Sequence, residues 1–454
     1  TMRILLWHGY LLTGSGSNVY TGNVARTWRA AGHDVVVMCQ ETLAGVLEYV
    51  DAEADMSRDN ATFVEYPTKA PPGTGRCRVI RPSIGEILPV YVFDEYEGFT
   101  AKLYVDLTDE ELEAYLRRNV EAMVTVIRDH RPDAIVTGHE VMGPYIARLA
   151  CEATSTAYVA KLHGSALEFA VKQQDRYRHF AYEGLVAAKV VVGGSQYMIS
   201  EASSVVPGWE SRAEVVNPGC DVELFAPAER ADGGPPVVGF VGKLIAGKGV
   251  HHFLAALGLT TTEALRAVVV GWGRFEKELK ALAYTLTTRN RDAARRVASD
   301  ASLTKLTSFL DSPDSSEDYW SRAARVPVEF TGRLEHGPLA EVLPFWDVSV
   351  VPSEVPEAFG MVAAEAAACG VLPIVPSHSG IGEAGAALEQ ELGTPGLLTF
   401  DPEDPVRGIA ERIDAILALP SPERRALELR AAAFARERWS WETVAERLLD
   451  LAAS

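Results

Sequence analysis

The stretch Glu357-Ala358-Phe359-Gly360-Met361-Val362-Ala363-Ala364-Glu365 constrains the fold more than any other in the chain. A short apolar run, Val348 to Pro352, precedes it and reads as a buried parallel strand, while the composition of Ala363 to Ala368 favours helix. Two carboxylates therefore bracket a strand-to-helix turn. In an open α/β sheet ligands sit at the carboxyl ends of the strands, where a helix N-terminus offers free N–H groups to an anion. Glu357 lies before the helix and Glu365 about one turn into it, so the pair can contact both ends of an extended ligand whose phosphates lie between. The same residues also fit ordinary surface carboxylates that complement a helix dipole.

The pattern of strand followed by small residues recurs from the start of the chain. Arg3 to Trp7 reads as a strand, His8 to Asn18 as a Gly/Ser-rich loop, Val24, Trp28 and Ala31 as one face of a helix stopped by Gly32, and Asp34 to Cys39 as a second strand. At Gly14 and Gly16 the backbone can approach a phosphate or sugar closely, or simply turn tightly. Residues 41 to 100 show no clean period and contain Pro67, Pro71, Pro72, Pro82 and Pro89, which predicts a long irregular segment. Within it Tyr91, Phe93, Tyr96 and Phe99 form either a wall for a bound molecule or a piece of core. Thr108 and Glu111 predict a capping box opening a helix to about His130. Strand-like segments then end at Gly138-His139-Glu140, His163-Gly164 and Gly193-Gly194-Ser195, placing His139, His163 and Ser195 along one sheet edge.

The second half opens with Val237 to Val241 running into Gly242-Lys243-Leu244-Ile245-Ala246-Gly247-Lys248-Gly249. Two ammonium groups beside a helix N-terminus suit a diphosphate; the alternative is a pair of solvated lysines. Ala267 to Val270 and Val328 to Gly332 read as further strands, and the polar residues 284 to 326 as an insertion with some helix. Ser440 can cap a final helix with Trp441, Val444, Leu448 and Leu451 on one stripe.

At 454 residues the chain is too long for one ordinary core. Its 62 acidic against 43 basic residues leave a net charge of −19, which disfavours nucleic acid or an anionic membrane as partner except through a local patch. The five cysteines are scattered without metal-ligand spacing, as expected of reduced thiols in a cytoplasmic enzyme. No apolar run approaches the roughly 18 residues of a membrane span, no signal-peptide pattern opens the chain, and Thr1 before Met2 reads as a cloning remnant.

Two Glu separated by seven residues, with Phe359-Gly360 inside and Ala368-Cys369-Gly370-Val371-Leu372-Pro373-Ile374-Val375 after, closely resemble the signature of the retaining glycosyltransferases of family 4, or glycosyl transferases group 1. The likeness runs from Met2 to about Leu449 apart from the 284–326 insertion. It implies the GT-B fold: an acceptor-binding Rossmann-like domain over 1–217, a nucleotide-sugar-binding one over 218–436 facing it across a cleft, and a terminal helix over 437–454 crossing back to the first. Val215 to Pro227 resembles the family's interdomain hinge.

The resemblance also implies roles. Asn18-Val19-Tyr20 matches the end of the family's Gly-rich loop, which puts Gly16 and Ser17 by the donor and Asn18 by the acceptor; Tyr91, Phe93 and His139 are the further acceptor candidates. His163 matches the active-site histidine beside the reacting sugar. Gly242, Lys243 and Lys248 match the phosphate grip, with Lys243 where the family has Arg, so the planar fork that holds two oxygens is lost. Arg333 and Leu334 fall where relatives hold the nucleobase largely by backbone groups. Glu357, Phe359, Gly360, Met361 and Val362 match the sugar and β-phosphate contacts, Glu365 the ribose contact, and Ser377 to Glu383 a loop near the donor. With no Asp-x-Asp pair, no metal or other cofactor is expected, and the two lysines and helix-terminal amides are left to neutralise a UDP- or GDP-linked leaving group. The implied reaction is a front-face transfer, with retention, to a small-molecule acceptor such as a natural product or a thiol or sugar metabolite. A GT-B epimerase and a non-catalytic nucleotide-sugar-binding protein stand as alternatives.

Overall fold

A computed structural model describes residues 1–453 apart from Ser15, Phe93 to Glu95, Ala231 and Asp232. The chain separates into two compact units, Thr1–Gly219 with Trp441–Ser454, and Cys220–Ser440.

In chain order the first unit runs β1 (Arg3–Trp7), α1 (Gly16–Ala30), β2 (Asp34–Met38), β3 (Ala52–Met56), β4 (Phe63–Pro67), β5 (Arg76–Arg81), β6 (Ile87–Val90) and β7 (Thr100–Leu103). It continues with α2 (Asp109–His130), β8 (Ala134–Gly138), α3 (Gly143–Thr154), β9 (Val159–Lys161), α4 (Asp175–Ala187), β10 (Val190–Gly193), α5 (Gln196–Val205) and β11 (Ala213–Val215). Among the described residues nine strands form one sheet in the order β11-β10-β9-β8-β1-β2-β5-β3-β4, parallel except for the β3–β4 hairpin. Its central strands are covered on both faces and are accordingly apolar throughout: Val35, Val36 and Val37 of β2 have no exposed surface.

Residues 41 to 100 correct the expectation of an irregular stretch, because four short strands lie there and a fifth begins at Thr100. Their signal was charge alternation. Arg76 and Arg78 of β5 pair with Glu65 of β4, and Arg81 at the end of β5 reaches Glu53 and Asp55 of β3. The prolines sit where a ladder tolerates them, Pro67 closing β4, Pro82 following β5 and Pro89 in the separate two-stranded β6–β7 ladder. The early loop also stops sooner than expected, since α1 already starts at Gly16.

The C-terminal helix Trp441–Ala453 belongs to this unit. Its stripe of Trp441, Val444, Leu448 and Leu451 joins the cluster containing Val24 and Trp28 of α1, and the Trp28 indole donates to the Ala445 carbonyl at 2.9 Å.

The second unit runs β12 (Val237–Val241), α6 (Val250–Ala256), β13 (Arg266–Val270), α7 (Glu276–Thr287), α8 (Arg291–Asp300), α9 (Thr304–Leu310), α10 (Glu317–Ala323), β14 (Val328–Gly332) and α11 (His336–Val342). It ends with β15 (Val348–Val350), α12 (Met361–Ala368), β16 (Leu372–Pro376), α13 (Ser379–Leu392), β17 (Thr399–Phe400), α14 (Pro405–Leu417) and α15 (Ser421–Arg438). Its parallel sheet has the order β14-β13-β12-β15-β16-β17. The polar segment 284–326 is held as short helices by the few apolar residues it has: Leu306, Leu310, Tyr319 and Trp320 are buried in the unit's core, and the Tyr319 hydroxyl donates to the Ala255 carbonyl at 3.0 Å. Among the described residues no helix is long and apolar enough to cross a membrane.

The capping box on α2 is formed in full, Glu111 N to Thr108 Oγ1 at 3.2 Å and Thr108 N to Glu111 Oε2 at 2.9 Å. Thr108→Ala should lower the unfolding free energy of the first unit by about 1 kcal/mol in urea titrations; an unchanged midpoint would mean that the cap contributes nothing.

Candidate functional site

In the second unit β12 and β15 are parallel neighbours, with Val238 opposite Val348 and Gly239 opposite Ser349, so the segments leaving their carboxyl ends run side by side. Gly249 lets them meet. Its φ is +68°, and a Cβ there would lie 1.9 Å from the Pro352 carbonyl oxygen. The approach brings the Lys248 ammonium to 2.6 Å from Glu357 Oε1, and Ser353 Oγ donates to the same oxygen. Among the described residues both contacts fall on Oε1, so a ligand hydroxyl can meet Oε2.

The backbone of Glu357 is fastened as firmly as its side chain. Its N–H donates to Ser379 Oγ at 2.9 Å, and the Gly380 N–H donates to its carbonyl at 2.8 Å. His378 bridges the Ser353 carbonyl at 2.9 Å and Ser379 Oγ at 3.0 Å. Only glycine fits at 380, where a Cβ would lie 1.9 Å from the Ala358 carbonyl oxygen.

The other predicted residues of this unit take varied places. Lys243 is exposed. The Gly242 amide is taken up by the Val270 carbonyl at 3.0 Å, so that residue offers a ligand its lack of a side chain rather than a donor. Arg333 pairs with Glu335 at 2.8 Å and lies over the Trp272 ring, with Leu334 half-buried beside it. The Phe359 side chain packs edge-on against Trp439 in the core, which leaves only its backbone for a ligand. Gly360, at φ +94°, turns the chain into α12, no side chain caps that helix, and the half-buried Met361 and Val362 form its first turn. Glu365 is buried one turn further on, and loss of solvent pushes its carboxyl up to about 7. Its nearest cationic candidate, His336 Nε2, stands 3.9 Å away.

The first unit gathers three histidines from three strand ends. His8 follows β1, His139 follows β8 and His163 follows β9; the His139 ring is 4.8 Å from that of His163 and 5.6 Å from that of His8. Asn18 fixes His8, its Oδ1 lying 2.7 Å from Nε2 while its amide donates to the Thr13 carbonyl. Burial lowers all three imidazoles, His8 to about 4 and the others well below their ordinary value, so the cluster is neutral. His163 is the half-buried member, while His139 is buried with both ring nitrogens unpartnered.

Lys161, at the end of β9, lies with its ammonium 4.9 Å from the Tyr20 ring centroid, and burial lowers it to about 8. Glu140, raised by burial, accepts from the Gly164 N–H at 2.8 Å. Gly16 and Ser17 open α1. The Tyr91 side chain is core: it stacks on Tyr104 at 4.8 Å, its hydroxyl donates to the Val141 carbonyl, and no wall for a ligand is formed by its buried ring. Phe93 lies outside the described residues. Ser195 caps α5 by accepting from the Met198 N–H.

Sequence reasoning passed over Ser353, His8 and Lys161, and gave no individual role to His378 or Ser379. Lys161 lies inside the segment before His163-Gly164, which was read for its apolar content, so nothing local marked it. The serines become visible only through what they touch.

A family model described as "Glycosyl transferase 4-like domain" matches residues 15–219, and one described as "Glycosyl transferases group 1" matches residues 235–418. The chain is 24% identical over 354 residues to a GDP-mannose-dependent monoacylated alpha-(1-6)-phosphatidylinositol monomannoside mannosyltransferase of Corynebacterium glutamicum, covering 73% of this chain and 79% of the relative. It is 31% identical over 242 residues to a D-inositol 3-phosphate glycosyltransferase of Mycobacterium tuberculosis, covering 53% of this chain and 43% of the relative. Solved structures of similar fold include HepE of Anabaena in complex with UDP, at TM-score 0.60 and 16% identity over 99% of each chain. Sucrose-phosphate synthase of Thermosynechococcus elongatus matches at TM-score 0.57 and 20% identity, over 99% of this chain and 98% of that one.

The Glu365 environment predicts a pH signature. Its folded value of about 7 lies above the ordinary 4.5, so the native state holds the proton more tightly and is destabilised as pH rises between those values. Glu365→Gln should therefore be no more stable than the parent at pH 4 and gain on it up to pH 8, by at most about 3 kcal/mol. Parallel melting curves across that range check it, and a stability difference independent of pH would show that Glu365 is not desolvated.

Proposed function

The chain belongs to the group 1, family 4 glycosyltransferases of GT-B fold, and from that premise we propose that it transfers a sugar from a nucleoside-diphosphate sugar to a small hydroxyl-bearing acceptor, with retention of anomeric configuration. The observation that carries this reading is the Lys248–Glu357 contact at 2.6 Å, with Glu357 held from four sides by Lys248, Ser353, Ser379 and Gly380. A carboxylate so fixed can accept hydrogen bonds from sugar hydroxyls without reorganising, and the ammonium beside it can meet the charge that builds on the departing diphosphate. Lys243, exposed on the same Gly-rich turn, adds a second positive charge. Glu365, protonated or ionised near neutrality, holds the ribose hydroxyls.

In the proposed reaction the acceptor hydroxyl attacks from the face that the nucleotide leaves, and a donor phosphate oxygen takes its proton. His163, being neutral, can offer a ligand a hydrogen bond but no charge. The names of the relatives support a GDP- or UDP-linked donor and an inositol-like polyol among the acceptors to try first.

Thermal-shift measurements with UDP, GDP and ADP, alone and sugar-linked, should single out one base. With that donor and an acceptor, Lys248→Ala and Glu365→Gln should each cut nucleotide release by roughly a hundredfold or more. Parental turnover in both variants would remove these residues from the site, and an epimer formed from donor alone would replace transfer with isomerisation.

A further inference from the structure

A second cluster of chemistry-bearing side chains lies just beyond Lys248. His251 and His252 follow Gly249 in the first turn of α6, with side chains 1% and 0% exposed and ring centroids 4.0 Å apart. Glu354 faces them from the segment that leads to Glu357. That segment is pinned to the β12 side by two backbone bonds, from the Glu354 and Val355 N–H groups to the Gly247 carbonyl at 2.9 and 3.2 Å. Glu354 Oε1 lies 2.7 Å from His252 Nε2, and Oε2 lies 3.7 Å from His251 Nε2. One ligand atom from each of the three residues lies within 4.8 Å of the others.

Hydrogen bonding explains only part of this arrangement. The His252–Glu354 contact is an ordinary imidazole–carboxylate bond, but neither ring nitrogen of His251 has a partner, and Nδ1 of His252 has none. Burying an imidazole without pairing it is unfavourable, and such a group calls for a reason. The 3.7 Å gap from His251 Nε2 to the carboxylate is too long for a hydrogen bond. It is close to the separation of two ligands on one ion, because atoms about 2.0–2.1 Å from zinc at tetrahedral angles stand roughly 3.4 Å apart.

We propose that His251, His252 and Glu354 bind one divalent transition-metal ion of the zinc class, through two imidazole nitrogens and one carboxylate oxygen. The donor set decides the class: imidazole suits zinc, cobalt and nickel, whereas magnesium and calcium prefer oxygen throughout. Glu354 is 34% exposed, which gives the ion an entry path and leaves a coordination position for water. The ion would tie α6 to the segment after β15, three residues from Lys248 on one side and three from Glu357 on the other. It would thereby stiffen both halves of the Lys248–Glu357 pair. Sequence spacing could not show this site, because Glu354 lies about a hundred residues from the histidines.

The test is a binding measurement and does not depend on the transfer reaction. The full chain without an affinity tag is stripped with chelator, dialysed against Zn²⁺ and assayed for metal content, and Co²⁺ is titrated while its visible absorption is followed. One ion per chain, a Co²⁺ spectrum of low coordination number and a raised Tm are expected. Glu354→Gln and His252→Gln should weaken binding by at least about tenfold, and His251→Ala similarly. Should His251→Ala fail to fold, the other two variants decide the matter. Absence of stoichiometric uptake, or unchanged uptake in Glu354→Gln and His252→Gln, overturns the site; displacement of Co²⁺ by equimolar Mg²⁺ overturns the zinc-class assignment.

Discussion

Parallel pairing of β12 with β15 is the constraint on which the candidate donor site depends. It places the segment after Val241 against the segment after Val350, and from that adjacency follow both the Lys248–Glu357 pair and the His251–His252–Glu354 cluster. The Lys248 and Glu357 side chains are 27% and 16% exposed, so their attraction is screened less than that of a surface pair. The serine and backbone bonds around Glu357 satisfy the carboxylate further, which is the condition under which a partly buried charge is tolerated. Glycines at 249 and 380 are the steric counterpart, since each stands where a side chain would collide with a carbonyl oxygen.

The first unit handles polar groups differently. Three imidazoles, a lysine and a glutamate converge at the ends of β1, β8 and β9, and burial shifts each toward its neutral form. A neutral imidazole can donate or accept a hydrogen bond according to its tautomer but brings no charge. The unpartnered nitrogens of His139 and the hydroxyl of Tyr20 add buried polar atoms that the fold itself leaves unsatisfied. Folds concentrate such violations at functional sites, where a ligand supplies the missing partner.

Much of this was legible in advance where the signal was local. The apolar runs at Arg3–Trp7, Asp34–Met38, Val237–Val241 and Val348–Val350 are strands, and the Thr108–Glu111 box caps α2 as its spacing dictates. Residues 41 to 100 misled because their strands alternate charge with apolar residues, and the charges are partnered by other strands of the sheet. Tyr91 misled for a similar reason, since aromatic composition does not say whether a ring lines a cavity or fills the core. In 284–326 a handful of buried aromatic and leucine side chains was enough to order a segment whose average composition is polar.

By itself the sequence determined the strands and helices whose period of two or 3.6 residues was clean, which leaves out residues 41 to 100, and it carried the two-glutamate motif that marks the family. Only the tertiary structure decided which distant residues meet: Lys248 with Glu357, His251 with Glu354, His8 with His139 and His163. The physical reason is that strand order in a parallel sheet sets these adjacencies, and strand order arises from packing across crossover connections that leave no periodic trace in the chain.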